Sequence, residues 1–552
     1  MITHRTKNQP QKIHQSQSPI PEKNSFYSLD TVFYIDKINP NIYLTLIMKE
    51  SQINSYFPAL ILVALVQSAL SIVTTWNPTN TNWNSAGNWS AGIPGAADEA
   101  RFNTPVTHNP VVNAPSNVGQ LNFITGAGPY TITSSSAANT LTIHGIGGNL
   151  ITNSSGNTQN INAHLVLAGN GNINASSGNI NFNSSVGFNL NGYNATISGL
   201  SNVTIASNIL GTGTINKIGS NALTLSGNNT STFTLNVNGG TVNLNTNSTS
   251  VNTSLVVNNG TVNINDNLLI GSLAGTGGTI NNNGWSPAIG GNNASTTYSG
   301  NITGTGGLIK QGTGTLTLAT PQTYTGATQI DGGTLTLLDT SDTAAVTVNN
   351  TGTLKLDVGG QLTSAGAVTL NPGGTLLITA SSIATDRIPD TANMILAGGT
   401  LINQDNLPET VGFLTLDDNS TIQLTTTTGN NGGWVFNDFN FYNGINNGNT
   451  YNPVLTITNS TAGPLTSAGA NDKIIFNNIS NVPTDFLANV FWSSQGLMGA
   501  TFIPFGSAWE LVPIPEPSTY ATIILLLIIT VGIHLRRLQQ QATAPNPHQS
   551  GS

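Results

Sequence analysis

The sequence predicts an all-β chain wound as a right-handed parallel β-helix, a solenoid rod closed by N- and C-terminal β caps. A signal helix precedes the rod and a transmembrane helix follows it. Three observations lead there. Between Gly304 and Leu337 two short runs, Thr313 to Leu318 and Gly333 to Leu337, place leucines two apart with threonines between them. That is the period of a strand with one buried face. Gly-Thr strand starts then recur at Thr241 and Thr261, and at Thr334, Thr353, Thr375 and Thr400, at intervals of 20 and then 19, 22 and 25 residues. Such spacing is a solenoid rung whose extra residues leave as loops. Finally, only 7% of the chain is charged, and Asn, Thr, Ser and 60 glycines take the place of charge. These residues suit turns and solvent-facing strand positions. A strand pair this short cannot bury its own leucines, so it needs copies above and below.

Composition also excludes chemistry. Without cysteine there are no disulfides, no Cys metal sites and no thiol nucleophile. A net charge of −8 offers no basic footprint, so no nucleic-acid partner is expected. From Asn103 to Asn265 there is no Asp or Glu, and Lys217 is the single Lys or Arg. That segment cannot host carboxylate acid–base catalysis and reads as a neutral rod.

In chain order, residues 1–47 are polar and without usable periodicity. They read as a non-native or disordered extension, with translation starting at Met48. Residues 48–71 read as a signal peptide: Met48-Lys49, an apolar run from Phe57 to Val73, and small residues at Ala69 and Ser71. Residues 72–104 form a Trp-rich N-terminal cap holding Trp76, Trp83 and Trp89. Aromatics can cover the open end of a rod, and the alternative use of the same three rings is stacking on a carbohydrate. Residues 105–430 are the solenoid, with repeats at 211–244 and 304–337. Lys217 to Leu244 and Lys310 to Leu337 share one spacing from the lysine to Gly-Gly-Thr. At ~20–25 residues per turn and ~4.8 Å per rung, the rod is roughly 65–80 Å long. Tyr324-Thr325-Gly326 reads as turn punctuation within it. Residues 431–511, richer in aromatics, are a C-terminal β cap. Residues 512–537 begin with a proline-stiffened stretch, continue as an apolar helix over 520–535 and end at Arg536-Arg537, which hold that end cytoplasmic. A polar tail occupies 538–552.

Two stretches carry family resemblances. Pro515-Glu516-Pro517-Ser518, the apolar helix and Arg536-Arg537 resemble a PEP-CTERM sorting signal. The resemblance implies export of a bacterial protein and processing by an exosortase-type protease. The chain would sit in the inner membrane as a precursor and then reach the envelope surface or the extracellular matrix. Gly312-Thr-Gly-Thr-Leu-Thr-Leu, Tyr324-Thr-Gly and Gly332-Gly-Thr-Leu-Thr-Leu resemble the autotransporter-associated β-strand repeat. That resemblance implies a surface β-helix without an assigned activity.

Candidates for catalysis are sparse. β-Helix lyases and glycosidases need acidic groups clustered on neighbouring rungs. Asp417-Asp418 reads as a turn between strands, Asp386-Arg387 with Asp390 as a salt-linked corner, and Asp339 and Asp342 as turn flanks. Lys310 and Asp331 have no partner fit for catalysis. His108, His144 and His164 lack metal-ligand spacing. No catalytic residue, metal or cofactor is expected. The reading is a structural or adhesive surface rod. The first alternative is a carbohydrate-binding protein using Trp76, Trp83 and Trp89 on an extracellular polysaccharide. The second is a polysaccharide-degrading enzyme using carboxylates between Asp331 and Asp418.

Overall fold

The structure is a computed structural model. It describes residues 71–229, 231–245, 253–379, 386–405, 407–424, 433–440, 453–459, 473–482, 484–514, 528–531 and 533–537, together with the backbone of 32–38, 41–47, 445–446 and 449–450. The chain divides into two compact units, Met1–Leu70 and Ser71–Ser552.

In the first unit Val32–Ile38 and Asn41–Ile47 pair as an antiparallel hairpin, from Ile38 opposite Asn41 to Val32 opposite Ile47. Within residues 1–47, read as lacking usable periodicity, these two segments are strands. The segments VFYIDKI and NIYLTLI are rich in β-branched and aromatic residues, which suit strands. The predicted signal segment, from Met48 to Leu70, lies outside the described residues.

Among its described residues the second unit is a parallel β-solenoid of about 15 turns with almost no helix. One ladder runs Leu121, Ile151, Ile173, Ile197, Lys217, Val237, Val257, each position beside the next on successive turns. At ~4.8 Å per rung, such a stack is roughly 70 Å long. The predicted strand starts fall opposite one another: Thr241 beside Thr261, and Thr334, Thr353, Thr375 and Thr400 in one column. That column extends from Thr315 through Thr421 to Thr456 on the outside. One residue along, Leu316, Leu335, Leu354, Leu376, Leu401, Ile422 and Ile457 form the matching inner column, each at most 2% exposed. Burying each of these side chains stabilises the fold by about 1.5–3 kcal/mol. Hydrogen bonds to the turns above and below satisfy the backbone, so charge is not needed to hold the stack.

Tyr324 corrects the turn assigned to it. Thr323–Tyr324 is a strand, the ring is fully buried, and its hydroxyl lies 2.7 Å from Thr328 Oγ1. The phenol fits an inward position because Thr328 supplies a polar partner inside the core.

Parallel pairing also runs past residue 430, where composition shifts. Trp434–Phe439 stacks on Glu409–Asp418, Leu455–Thr458 on Ser420–Gln423, and Val490–Trp492 on Leu455–Ile457. Antiparallel pairs then follow, Val490–Trp492 with Leu497–Met498 and Ala500–Phe505 with Ala508–Pro513. Among the described residues no helix is long and apolar enough to cross a membrane. Pro515, Glu516, Pro517, Ser518 and most of the predicted helix over 520–535 lie outside the described residues. Arg536 and Arg537 lie in a helical stretch and are exposed.

Candidate functional site: buried cations, buried tryptophans and an acidic corner

The two repeats have one unusual feature in common, a lysine inside the core. In Thr214–Lys217 the burial alternates, Ile215 and Lys217 pointing inward. In Leu308–Lys310 the inward pair is Leu308 and Lys310. Lys217 is 0% exposed and Lys310 1%. The Lys217 ammonium donates to the carbonyl oxygens of Ile218 at 3.1 Å, Gly219 at 2.8 Å and Gly239 at 3.3 Å. Lys310 repeats the pattern on Gln311 at 2.7 Å, Gly312 at 3.2 Å and Gly332 at 3.2 Å.

Three N–H groups meet three carbonyls, which is the full donor capacity of an ammonium. Burial pushes both amines down to about 8, and the carbonyl cage keeps them charged at neutral pH. The third carbonyl belongs to the first glycine of Gly-Gly-Thr one turn later. This explains the shared spacing: the lysine reaches the next rung at the Gly-Gly corner. The second glycine must stay a glycine, since Gly240 has φ +68° and Gly333 φ +61°. The outward-inward alternation around Ile215 and Leu308 was the sequence signal for these buried lysines.

The three tryptophans, read as an end cap with carbohydrate stacking as their alternative use, have no free face. Trp76 and Trp83 are 0% exposed and Trp89 5%. Trp89 lies edge-on between the other two, at 4.9 Å from Trp76 and 4.8 Å from Trp83. Phe102, Phe123 and Tyr130 continue the cluster. Trp89 Nε1 donates to Trp83 O at 2.8 Å and Trp76 Nε1 to His108 O at 3.0 Å. Apolar area of this size is better removed from water than offered to it. The carbohydrate-stacking assignment of Trp76, Trp83 and Trp89 is therefore corrected: they are core.

Of the acidic candidates, Asp386-Arg387 lies at a charged corner, but the salt link expected with Asp390 is replaced by one from Arg387 to Asp405, and Glu409 completes the corner. Arg387 is 1% exposed; its Nε donates to Gly360 O at 2.6 Å and its Nη1 to Asp405 Oδ2 at 3.0 Å. The amides of Arg387 and Ile388 donate to Glu409 Oε1 at 3.0 and 2.6 Å. Burial first, then the adjacent Asp386 carboxyl, pushes Glu409 up to about 9. Burial also raises Asp386. Glu409 is thus protonated at neutral pH, with its oxygens turned to backbone amides and to Asp386. A glycosidase pair holds its carboxyls apart around the scissile bond, and this one does not. Asp417 and Asp418 end the strand Glu409–Asp418, and the next strand begins at Ser420, so the expected turn is a single-residue corner. Among the described residues no group of His, Asp and Glu could hold a metal ion. An apolar recess of about 40 Å³ lined by Leu225, Phe233, Leu235, Leu255, Leu268 and Ile270 is too small for a sugar ring.

The fold thus defines a repeat-built β-solenoid whose buried charges serve structure. Within it, residues 215–244 and 308–337 match the passenger-associated-transport-repeat, the two segments that carry the lysine cages. A stretch of 80 residues is 42% identical to the adhesin BmaC autotransporter of Brucella suis biovar 1 (strain 1330), covering 13% of this chain and 2% of that protein. No solved structure matches.

Proposed function

We propose that the chain is an exported cell-surface or matrix protein whose solenoid acts as a structural and adhesive rod. The observation that carries this is the pair of caged-lysine repeats, matched by the passenger repeat and accompanied by likeness to a bacterial adhesin. The winding is right-handed, the hand that parallel crossovers almost always take. The tryptophan cluster and the antiparallel strands after Leu497 cap its two ends and protect sheet edges that would otherwise recruit other chains. Sorting runs through Pro515, Glu516, Pro517 and Ser518, with Arg536 and Arg537 holding the precursor in the inner membrane for an exosortase-type protease. The rod has no catalytic role.

The test has two parts. Cells displaying the chain are compared with cells lacking it for attachment to abiotic and glycan-coated surfaces; equal attachment sinks the adhesive role. Mass spectrometry of the mature C-terminus, with and without the sorting protease, tests the route. An intact C-terminus in both strains removes the sorting step and leaves the rod reading standing.

A further inference from the structure

The asparagines of this chain carry chemistry of their own. Five Asn-Gly pairs fall among the described residues, at Asn170, Asn191, Asn238, Asn259 and Asn283, and all five asparagines are exposed. A glycine after asparagine has no Cβ to shield its nitrogen, so that nitrogen can attack the asparagine's own side-chain carbonyl. Four of the five side chains are held by a neighbouring turn. Asn170 Oδ1 accepts from the Asn194 amide at 2.8 Å, and Asn238 Oδ1 from Asn258 Nδ2 at 2.9 Å. Asn191 Nδ2 donates to Leu167 O at 3.0 Å, and Asn283 Nδ2 to Asn265 Oδ1 at 2.7 Å. Asn259 is turned onto its own backbone: its Oδ1 accepts the N–H of Gly260 at 2.9 Å. The carbonyl carbon lies one ~1.2 Å bond from that oxygen, which puts nitrogen and carbon close to the roughly 3–3.5 Å separation of poised reactants.

We propose that Asn259 is a self-modifying site, converted through a cyclic imide to aspartate and isoaspartate, and that this conversion opens the corner over the Lys217 cage. The Gly260 nitrogen gives its proton to hydroxide and bonds to Cγ, and Nδ2 leaves as ammonia. Water then opens the ring. Attack at Cγ breaks its new bond to nitrogen and yields aspartate; attack at the main-chain carbonyl breaks the original peptide bond and yields isoaspartate. In sum one water is gained and one ammonia lost, with no oxidant, metal or second protein. The place matters because the corner is tight. A Cβ on Gly260 would sit 2.5 Å from Gly240 O and 3.0 Å from the Gly239 carbonyl carbon. Gly239 O is the contact that Lys217 makes with the next turn. The register of Thr234–Leu244 against Ser254–Ile264 shifts at this same corner. Isoaspartate adds a methylene to the backbone and a carboxylate there, so the stacking of Gly260 on Gly239 and Gly240 is lost.

Mass spectrometry of the full chain, held for days at mildly alkaline pH, reads the exchange of NH2 for OH at each pair; electron-transfer fragmentation tells isoaspartate from aspartate. Asn259 is expected to convert at least about tenfold faster than each of the other four. In urea, where no turn holds the side chains, the five rates are expected to converge. Asn258→Ala removes the donor that holds Asn238 and is expected to speed conversion there. Asn259→Gln lengthens the arm and is expected to leave this position unmodified. Converted chains, separated by their added negative charge, are expected to exchange amide hydrogens faster in Thr234–Leu244 and Ser254–Ile264. The proposal is overturned if Asn259 converts no faster than the other four, if its lead persists in urea, or if the converted chains protect both strands as fully as before.

Discussion

The lysine cages and the Arg387 corner both put a cation inside the core, by opposite means. Lys217 and Lys310 are satisfied wholly by backbone carbonyls, two from the following corner and one from the next turn. Arg387 needs Asp405 and the Gly360 carbonyl, and its own backbone is tied to Glu409. A cage that asks only for glycines on the next rung can be copied, and it occurs at both Lys217 and Lys310. A corner that asks for particular side chains on three segments is hard to copy. The difference shows how a solenoid reuses backbone-based solutions and keeps side-chain networks as local exceptions.

The largest test of that contrast is removal of each cation. Arg387→Met removes the buried ion pair with Asp405 and should cost about 3–5 kcal/mol of local stability, as breaking such a pair does. Hydrogen exchange of amides in the flanking strands Gln361–Leu362 and Glu409–Asp418 would read it. Lys310→Met leaves only carbonyls unpaired and should cost about 1–3 kcal/mol, confined to its own and the adjacent turn. A larger loss at Lys310 than at Arg387 would break the comparison. Lys217→Met should match Lys310→Met within about 0.5 kcal/mol if the two cages are equivalent and independent.

A smaller effect lies in pH. Glu409 holds its proton up to about 9 in the fold against an ordinary value of 4.5, so between those values the native state binds more protons than the unfolded one. Its stability contribution falls as pH rises through that window, and Glu409→Gln should flatten the fall. The lysines behave oppositely: lowered to about 8 from 10.5, they make stability rise with pH between those values. Melting curves of Glu409→Gln and of the Lys217→Met, Lys310→Met double variant, from pH 5 to 10.5, should show opposite slope changes. The same sign in both would refute the assignment.

Much of the fold was legible because a parallel stack repeats one local rule. Thr334, Thr353, Thr375 and Thr400 could be placed in one column from spacing alone. Lys217 and Lys310 were legible as inward by parity with Ile215 and Leu308, but their polarity argued for the surface. Glu409 left little trace, since a lone acid in PETVGFL has no motif. The stacking role of Trp76, Trp83 and Trp89 failed because composition does not say which face of a ring is covered.

What the sequence determined by itself is the rung: period two along the strand, 19 to 25 residues between strand starts, apolar inside and Thr or Asn outside. These follow from pleat geometry and from the need to bury leucines, both of which act locally. What only the tertiary structure decided is which distant groups meet. The Gly239 and Gly332 carbonyls reach the lysines, and Glu409 reaches the amides of Arg387 and Ile388, because register brings residues 21 or 22 apart within hydrogen-bond distance. Register is set by the turns and loops of the whole coil, so no single rung contains it.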